Sequence, residues 1–343
     1  MTTATTAFTD RLESYGQTAR DAALGYLASV ESSHLTEPAR DYLDRGGKGL
    51  RPALCLATCE AFGGHAIDAL PSAAAIELLH TAFLVHDDVE DDSELRRGRP
   101  TLHQVVGRGL AVNAGDGLAV VALGALRAND RLLGRRLAGR VWGEFEFMAR
   151  QTVEGQAREL GWQRDGRTDL APDDYLELIM QKTCWYTTIL PLRVGALVGA
   201  RGSVDLGQLV RFGFTLGAAF QIRDDVLNLT GSTELYGKES LGDLREGKRT
   251  LVLIHLLAAA SPADRLVVER YLALPRSART DEATDEVLGL LHRYGSIAFA
   301  EHFGRGITRS AAEASAEAFA GVPPSPARRF VERMIGYMVD RDR

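Results

Sequence analysis

Strand signals are nearly absent from this chain. Aromatic residues make up only 7% of it, β-branched runs are short, and no Asn-Gly or Asp-Gly turn sits between alternating segments, which excludes a sandwich or barrel. Cysteine is just as scarce. Cys55, Cys59 and Cys184 are too few for a disulfide framework, and no further cysteine or histidine pair gives Cys55 and Cys59 a zinc-site spacing. They read as small core residues of a protein kept in a reducing cytoplasm. A basic excess is missing too. The 40 Lys and Arg against 46 Asp and Glu leave a net charge of −6, which argues against a general nucleic-acid binder. The N-terminal stretch has no charged start followed by an apolar run, so no signal peptide is expected, and its Thr-rich opening is expected to fray to about residue 8. Long apolar runs are also lacking. Leu118–Leu126 and Leu251–Ala260 fall short of the roughly 20 residues of a membrane span.

Helical periodicity fills the space left by these absences, in a chain of 343 residues rich in Ala and Leu. In the segment 208–229, Leu209, Phe212, Leu216, Ala219, Phe220, Val226 and Leu227 mark one face. Starts or breaks are expected at Thr36-Glu-Pro38, Leu70-Pro-Ser72, Ala171-Pro-Asp-Asp174, Ser261-Pro-Ala-Asp264 and Val322-Pro-Pro-Ser-Pro326. About a dozen helices follow from this punctuation. The segment 111–128 is apolar nearly all round, which predicts a helix buried centrally or between subunits. The glycines are scattered, with no linker or repeat to divide the chain. The expectation is one all-α domain over residues 1–343.

Two acidic stripes stand out against this background. The apolar segment 73–85 runs into His86-Asp-Asp-Val-Glu-Asp-Asp-Ser-Glu94, in which six of nine residues are carboxylates. On a helix Asp87 and Asp91 share a face that continues back through Phe83 and His80. A second apolar helix ends in Phe220-Gln-Ile-Arg-Asp-Asp-Val-Leu-Asn228, whose Gln221, Asp224, Asp225 and Asn228 form a polar stripe. Neighbouring like charges repel, so stability alone does not select such clusters, although a solvated helix end with i,i+4 ion pairs is the plainer alternative for the first. Divalent cations would neutralise them. Oxygen-only donors point to Mg²⁺, which commonly bridges to substrate phosphates.

Phosphate-gripping cations lie close by in sequence. Gly46-Gly-Lys-Gly-Leu-Arg-Pro52 presents Lys48 and Arg51 from a glycine turn that lacks Walker-loop spacing. Arg96 and Arg97 follow the first stripe, Lys182-Thr183 sits in a helical segment, and Lys238 and Lys248 flank the loop after the second. Each alone reads as a surface charge. Together, beside two metal-type stripes, they describe a diphosphate site.

The ordered set GGKGLRP (46–52), HDDVEDDSELRRGRPT (86–101), EGQ (154–156), KT (182–183), FQIRDDVLN (220–228) and GDLREGKRT (242–250) resembles the trans-isoprenyl diphosphate synthases, or polyprenyl synthetases, over roughly residues 36–340. The resemblance implies a bundle of long helices around a deep cavity, a homodimer, and three Mg²⁺. It implies head-to-tail addition of isopentenyl diphosphate to an allylic diphosphate (dimethylallyl, geranyl or farnesyl). By the same resemblance Asp87 and Asp91 hold two metals with Asp88 in support, and Asp224, beside Asp225, holds the third. Arg96, Lys182 and Lys238 grip the allylic diphosphate, with Thr183 and Gln221 lining that site. Lys48, Arg51, His80 and Arg97 bind isopentenyl diphosphate, and Lys248 matches less securely.

Two departures bear on the product. The first motif is the short form, and the second ends in Asn228 rather than Asp, as in some geranylgeranyl diphosphate synthases. In the family, bulky residues four or five positions before the first Asp stop tail growth. Those positions are Phe83 and Ala82, one large and one small, which favours a twenty-carbon geranylgeranyl product over fifteen carbons or long chains. Three other functions compete. A class I terpene cyclase would carry Asn-Asp-x-x-Ser-x-x-x-Glu, whereas Asn129-Asp130 is followed by Arg-Leu-Leu-Gly. A regulatory subunit of a heteromeric prenyl synthase would have lost one acidic motif, and a squalene-type synthase would show its own pattern.

Overall fold

The structure, a computed structural model, describes residues 3–231 and 241–339. Among these, the chain runs through α1 (Thr3–Leu27), α2 (Ser33–Asp44), α3 (Leu50–Ala61) and α4 (Ala66–Glu90) to the two-residue strands β1 (Leu95–Arg96) and β2 (Arg99–Pro100). There follow α5 (Leu102–Val106), α6 (Arg108–Leu133), α7 (Arg135–Arg164) and α8 (Pro172–Ile179), which passes without a break into a π-helix (Met180–Ile189) and α9 (Leu190–Gly199). The second half comprises α10 (Gly207–Thr230), α11 (Gly242–Glu246), α12 (Leu251–Ala259), α13 (Pro262–Ala273), α14 (Asp281–Arg293), α15 (Ser296–Ala318) and α16 (Pro326–Val339). The all-α expectation holds. The chain breaks into more helices than expected because α5 and α11 are single-turn pieces with no periodic face to read.

The core explains the layout. α4 packs along α6, α10 along α15, and α3 along α9. Phe212, Leu54, Leu118 and Ile189 are fully buried where these helices meet. The cysteines are buried and unpaired, as expected.

Several local expectations are corrected. The first helix begins at Thr3 rather than near residue 9, and Phe8 is buried, stacked on Phe330 with ring centroids 4.8 Å apart. Pro38 and Pro71 lie inside α2 and α4 instead of breaking them. Each sits in the second turn, where the carbonyl it cannot bond belongs to an exposed residue, His34 or Ile67, and can turn to water. Pro172, Pro262 and Pro326 do begin helices. The 66–90 and 108–133 helices are long and apolar enough to cross a membrane by length and composition. The shorter apolar runs judged from sequence missed this because each helix admits small and polar residues that barely lower its mean hydropathy. Most of the α4 window is buried inside the fold, whereas α6 leaves Val112, Val120 and Leu123 exposed on one side.

Candidate active site

The first acidic stripe is the last turn of α4, with Asp91 at its C-cap. Three of its four aspartates, Asp87, Asp88 and Asp91, point to different tasks. Asp87 opens onto a cavity of about 690 Å³. Asp88 turns away from it, fully buried, and accepts from the Tyr42 hydroxyl at 2.6 Å and from Arg96 Nε at 2.9 Å. Asp91 is buried with neither carboxylate oxygen hydrogen-bonded, and the ammonium of Lys248 stands 2.8 Å away. Burial pushes its carboxyl upward; Lys248 opposes this, and Asp87 and Glu246 add to it.

The second stripe ends α10. Asp224 and Asp225 both line the cavity. Asp225, expected among the metal-binding carboxylates, has both oxygens engaged, one by the Tyr175 hydroxyl and one by Gln221 Nε2, each at 2.7 Å. Burial and then Asp243 raise its pKa. Asn228 is buried, and its side-chain oxygen accepts from the Asp243 amide at 3.1 Å, so it braces the return of the chain into α11.

The cations arrive from four elements. Lys182 lies in the first turn of the π-helix and pairs with Glu159 of α7 and with Asp87 at 3.4 Å. Burial works against its charge, but Glu159 and then Asp87 outweigh it and raise its pKa. This contact depends on Gly155 of the EGQ motif, since a Cβ there would sit 2.4 Å from the Lys182 amide nitrogen. Lys248 lies among Asp91, Glu246 at 2.7 Å and Asp243 at 3.5 Å. Arg96 is buried against Asp88 and Asp87. Arg97 follows in the β1–β2 turn at φ +55°, and its guanidinium fits against Gly47, where a Cβ would lie 2.6 Å away. Tight two-residue hairpins require such positive φ values.

Arg51 Nη1 donates to His80 Nε2 at 3.3 Å and Nη2 donates to Thr187 at 3.0 Å. Burial, then Arg51 and Arg97, holds His80 well below the ordinary imidazole pKa, so it is neutral. Arg97 is lowered to about 10, chiefly by burial and then by Arg96 and Arg51, with Glu77 opposing them. A cluster in which burial and neighbouring cations lower the members' pKa values is chemically suited to an anion.

Thus Lys48, Arg51, His80 and Arg97 line the same cavity as Asp87, Arg96, Lys182, Thr183, Gln221, Asp224 and Lys248. Phe83 lines it as well. Ala82 is buried in the core and is not part of the wall, so of the two chain-length positions only Phe83 reaches the cavity. Lys238 lies outside the described residues.

The polyprenyl synthetase family model matches residues 32–291. The chain belongs to the polyprenyl synthetase family. It is 33% identical over 293 residues to a short chain isoprenyl diphosphate synthase of Methanothermobacter thermautotrophicus, covering 85% of this chain and 86% of that protein. It is 35% identical over 245 residues to a geranylgeranyl diphosphate synthase of Sulfolobus acidocaldarius, covering 69% and 71%. Among solved structures, geranylgeranyl pyrophosphate synthetase of Pyrococcus horikoshii superposes with a TM-score of 0.86 at 30% identity, over 98% of this chain and 99% of that one. This member of the family is accordingly a trans-prenyltransferase.

The residues of this polyprenyl synthetase fit the metal its family implies. Among the described residues no three carboxylates or imidazoles converge as a finished cage. Instead the donors are oxygen atoms, and the two buried oxygens of Asp91 have a cation but no hydrogen bond. Hard oxygen donors of this kind would suit Mg²⁺, with Asp87, Asp91 and Asp224 the residues that would hold it.

Sequence reasoning missed Glu159, Tyr186 and the two tyrosines that hold Asp88 and Asp225. Glu159 had a signal: on α7 it extends the buried stripe of Met148, Thr152 and Gly155. Tyr42, Tyr175 and Tyr186 had none, because each meets its partner only in the tertiary fold.

Proposed function

We propose that this enzyme condenses isopentenyl diphosphate head-to-tail with an allylic diphosphate to make all-trans geranylgeranyl diphosphate, working as a cytoplasmic homodimer with three Mg²⁺. One observation carries the reading. A single cavity joins the acidic ends of α4 and α10 to the separate cation cluster of Lys48, Arg51 and Arg97, with the Phe83 ring on its wall. A cyclase has no use for that second cation cluster.

The chemistry follows from this division. The allylic C–O bond ionises; Mg²⁺, which Asp87, Asp91 and Asp224 would hold, would supply Lewis-acid stabilisation of the departing diphosphate. Arg96, Lys182 and Lys238 hold that diphosphate. The isopentenyl diphosphate, gripped by Lys48, Arg51 and Arg97, is positioned so that its double bond attacks the allylic cation, and positioning supplies much of the rate. The released diphosphate takes the proton. Leu178, Ile179 and Leu160 on the wall keep water from quenching the cation. The tail extends toward Phe83 until the ring stops it.

The test is a product assay. Purified protein, Mg²⁺ and isopentenyl diphosphate are combined with dimethylallyl, geranyl or farnesyl diphosphate separately, and chain length is read by mass spectrometry. A discrete twenty-carbon diphosphate is expected. Hydrocarbon formed from the allylic substrate without consumption of isopentenyl diphosphate would instead establish a cyclase, and no reaction at all would move the chain to a regulatory role.

A further inference from the structure

We propose that Tyr186 couples the two ends of this cavity, carrying the Arg51 guanidinium over its ring and bracing the Phe83 ring against its edge, so that one side chain tunes both isopentenyl diphosphate affinity and product length. The inference rests on the prenyltransferase reading above and deepens it.

Three contacts converge on this ring. The Arg51 guanidinium carbon lies 4.6 Å from the Tyr186 centroid, where the ring quadrupole attracts a cation. The His80 imidazole, itself bonded to Arg51, is nearly parallel to the ring with centroids 5.9 Å apart. Phe83 meets it at 72° with centroids 5.7 Å apart, the edge-on arrangement aromatic pairs favour. All four side chains line the cavity. Among the described residues no side chain hydrogen-bonds the Tyr186 hydroxyl, so the ring carries the interactions.

The π-helix makes this reach possible. Tyr186 and its neighbour Thr187 both touch Arg51, while Lys182 and Thr183 of the same segment face the allylic side. Wide π turns of this kind concentrate at functional sites. Tyr186 touches both Arg51 on α3 and Phe83 on α4, and so links them. Without the ring, Arg51 loses one of its three supports and Phe83 loses the neighbour that fixes its edge.

The experiment compares wild type with Tyr186→Ala, Tyr186→Leu and Tyr186→Phe in the product assay, with KM for isopentenyl diphosphate separated from kcat. Tyr186→Leu keeps bulk without a quadrupole and is expected to raise that KM about tenfold. Tyr186→Ala is expected to raise it similarly and to lengthen the main product by at least one isoprene unit. Tyr186→Phe is expected to rescue both properties. If Tyr186→Ala does not fold, the KM of the Leu variant decides. An unchanged KM in the Leu variant, a longer product without a KM change, or a Phe variant as impaired as the Ala variant overturns the proposal. A wild type that consumes no isopentenyl diphosphate overturns the prenyltransferase reading itself, an outcome distinct from these because they all require an active wild type.

Discussion

The Lys248 ammonium lies 2.8 Å from the Asp91 carboxylate, tying the end of α4 to the chain that follows α11. Glu246 and Asp243 face the same ammonium. Together with Arg276, which pairs with Glu246 at 3.0 Å, this positive charge offsets a cluster of carboxylates that would otherwise repel one another. Removing one partner of a buried pair costs about 3–5 kcal/mol. Lys248→Gln is expected to lower Tm by several degrees in chelator-treated protein. Added Mg²⁺ should recover more of that loss than it adds to wild type, because a bound cation replaces the missing charge. Differential scanning calorimetry with and without metal measures both, and equal Tm values in chelator would refute the role.

Phe83→Ala is expected to lengthen the product. Phe83 is the chain-length position that reaches the cavity, and truncating it opens the wall one helical turn, roughly 5 Å, from Asp87. Mass spectrometry should show the main product shifted by at least one isoprene unit. Ala82→Phe, buried away from the wall, is expected instead to destabilise by overpacking, about 1–3 kcal/mol. An unchanged product distribution in Phe83→Ala would sink this assignment.

His80 sets a pH dependence of stability. Its folded pKa lies well below the ordinary imidazole value, chiefly through burial. The unfolded chain therefore binds a proton first as pH falls. The contribution is fully present above about pH 6.5 and is lost below it at about 1.4 kcal/mol per pH unit until the folded pKa is reached. Between pH 7.5 and 5.5, wild type is expected to lose about 2 °C more in Tm than His80→Gln. Parallel pH profiles for the two proteins would contradict this.

The exposed side of α6 and α7 is expected to hold the partner subunit. On α6 Val120 is 66% exposed, with Val112 and Leu123 also exposed; on α7 Val153, which also lines the cavity, is 60% exposed, with Trp142 and Phe147 exposed too. An apolar surface of this kind costs free energy in water unless a second copy covers it. Val120→Glu with Leu123→Glu is expected to convert a dimer to a monomer in sedimentation or light-scattering measurements. A wild type that is already monomeric would remove the homodimer from the proposal.

Much of this protein was legible along the chain, because its decisive signals are local. The acidic residues of α4 and α10 share faces by helical spacing alone, so reading each as a carboxylate stripe needed no tertiary information. The cationic motifs read equally well, and Lys48, Arg51, Arg97, Lys182 and Lys248 do meet in one cavity. Helix starts at Pro172 and Pro262 followed from the geometry of proline at a first turn.

Tertiary structure decided which members of each motif are held by tyrosines or turned into the core. Spacing alone makes Asp224 and Asp225 adjacent equals, and only the meeting of α8 with α10 gives Asp225 to Tyr175. The same holds for Asp88, claimed by Tyr42 from α2, and for Ala82, turned into the core while Phe83 faces the cavity. Periodicity orders residues around one helix, but it carries no record of what lies across from them. Hydrogen bonds between residues 46 to 50 positions apart, and an aromatic ring at 186 that touches residues 51, 80 and 83, arise only when the helices pack.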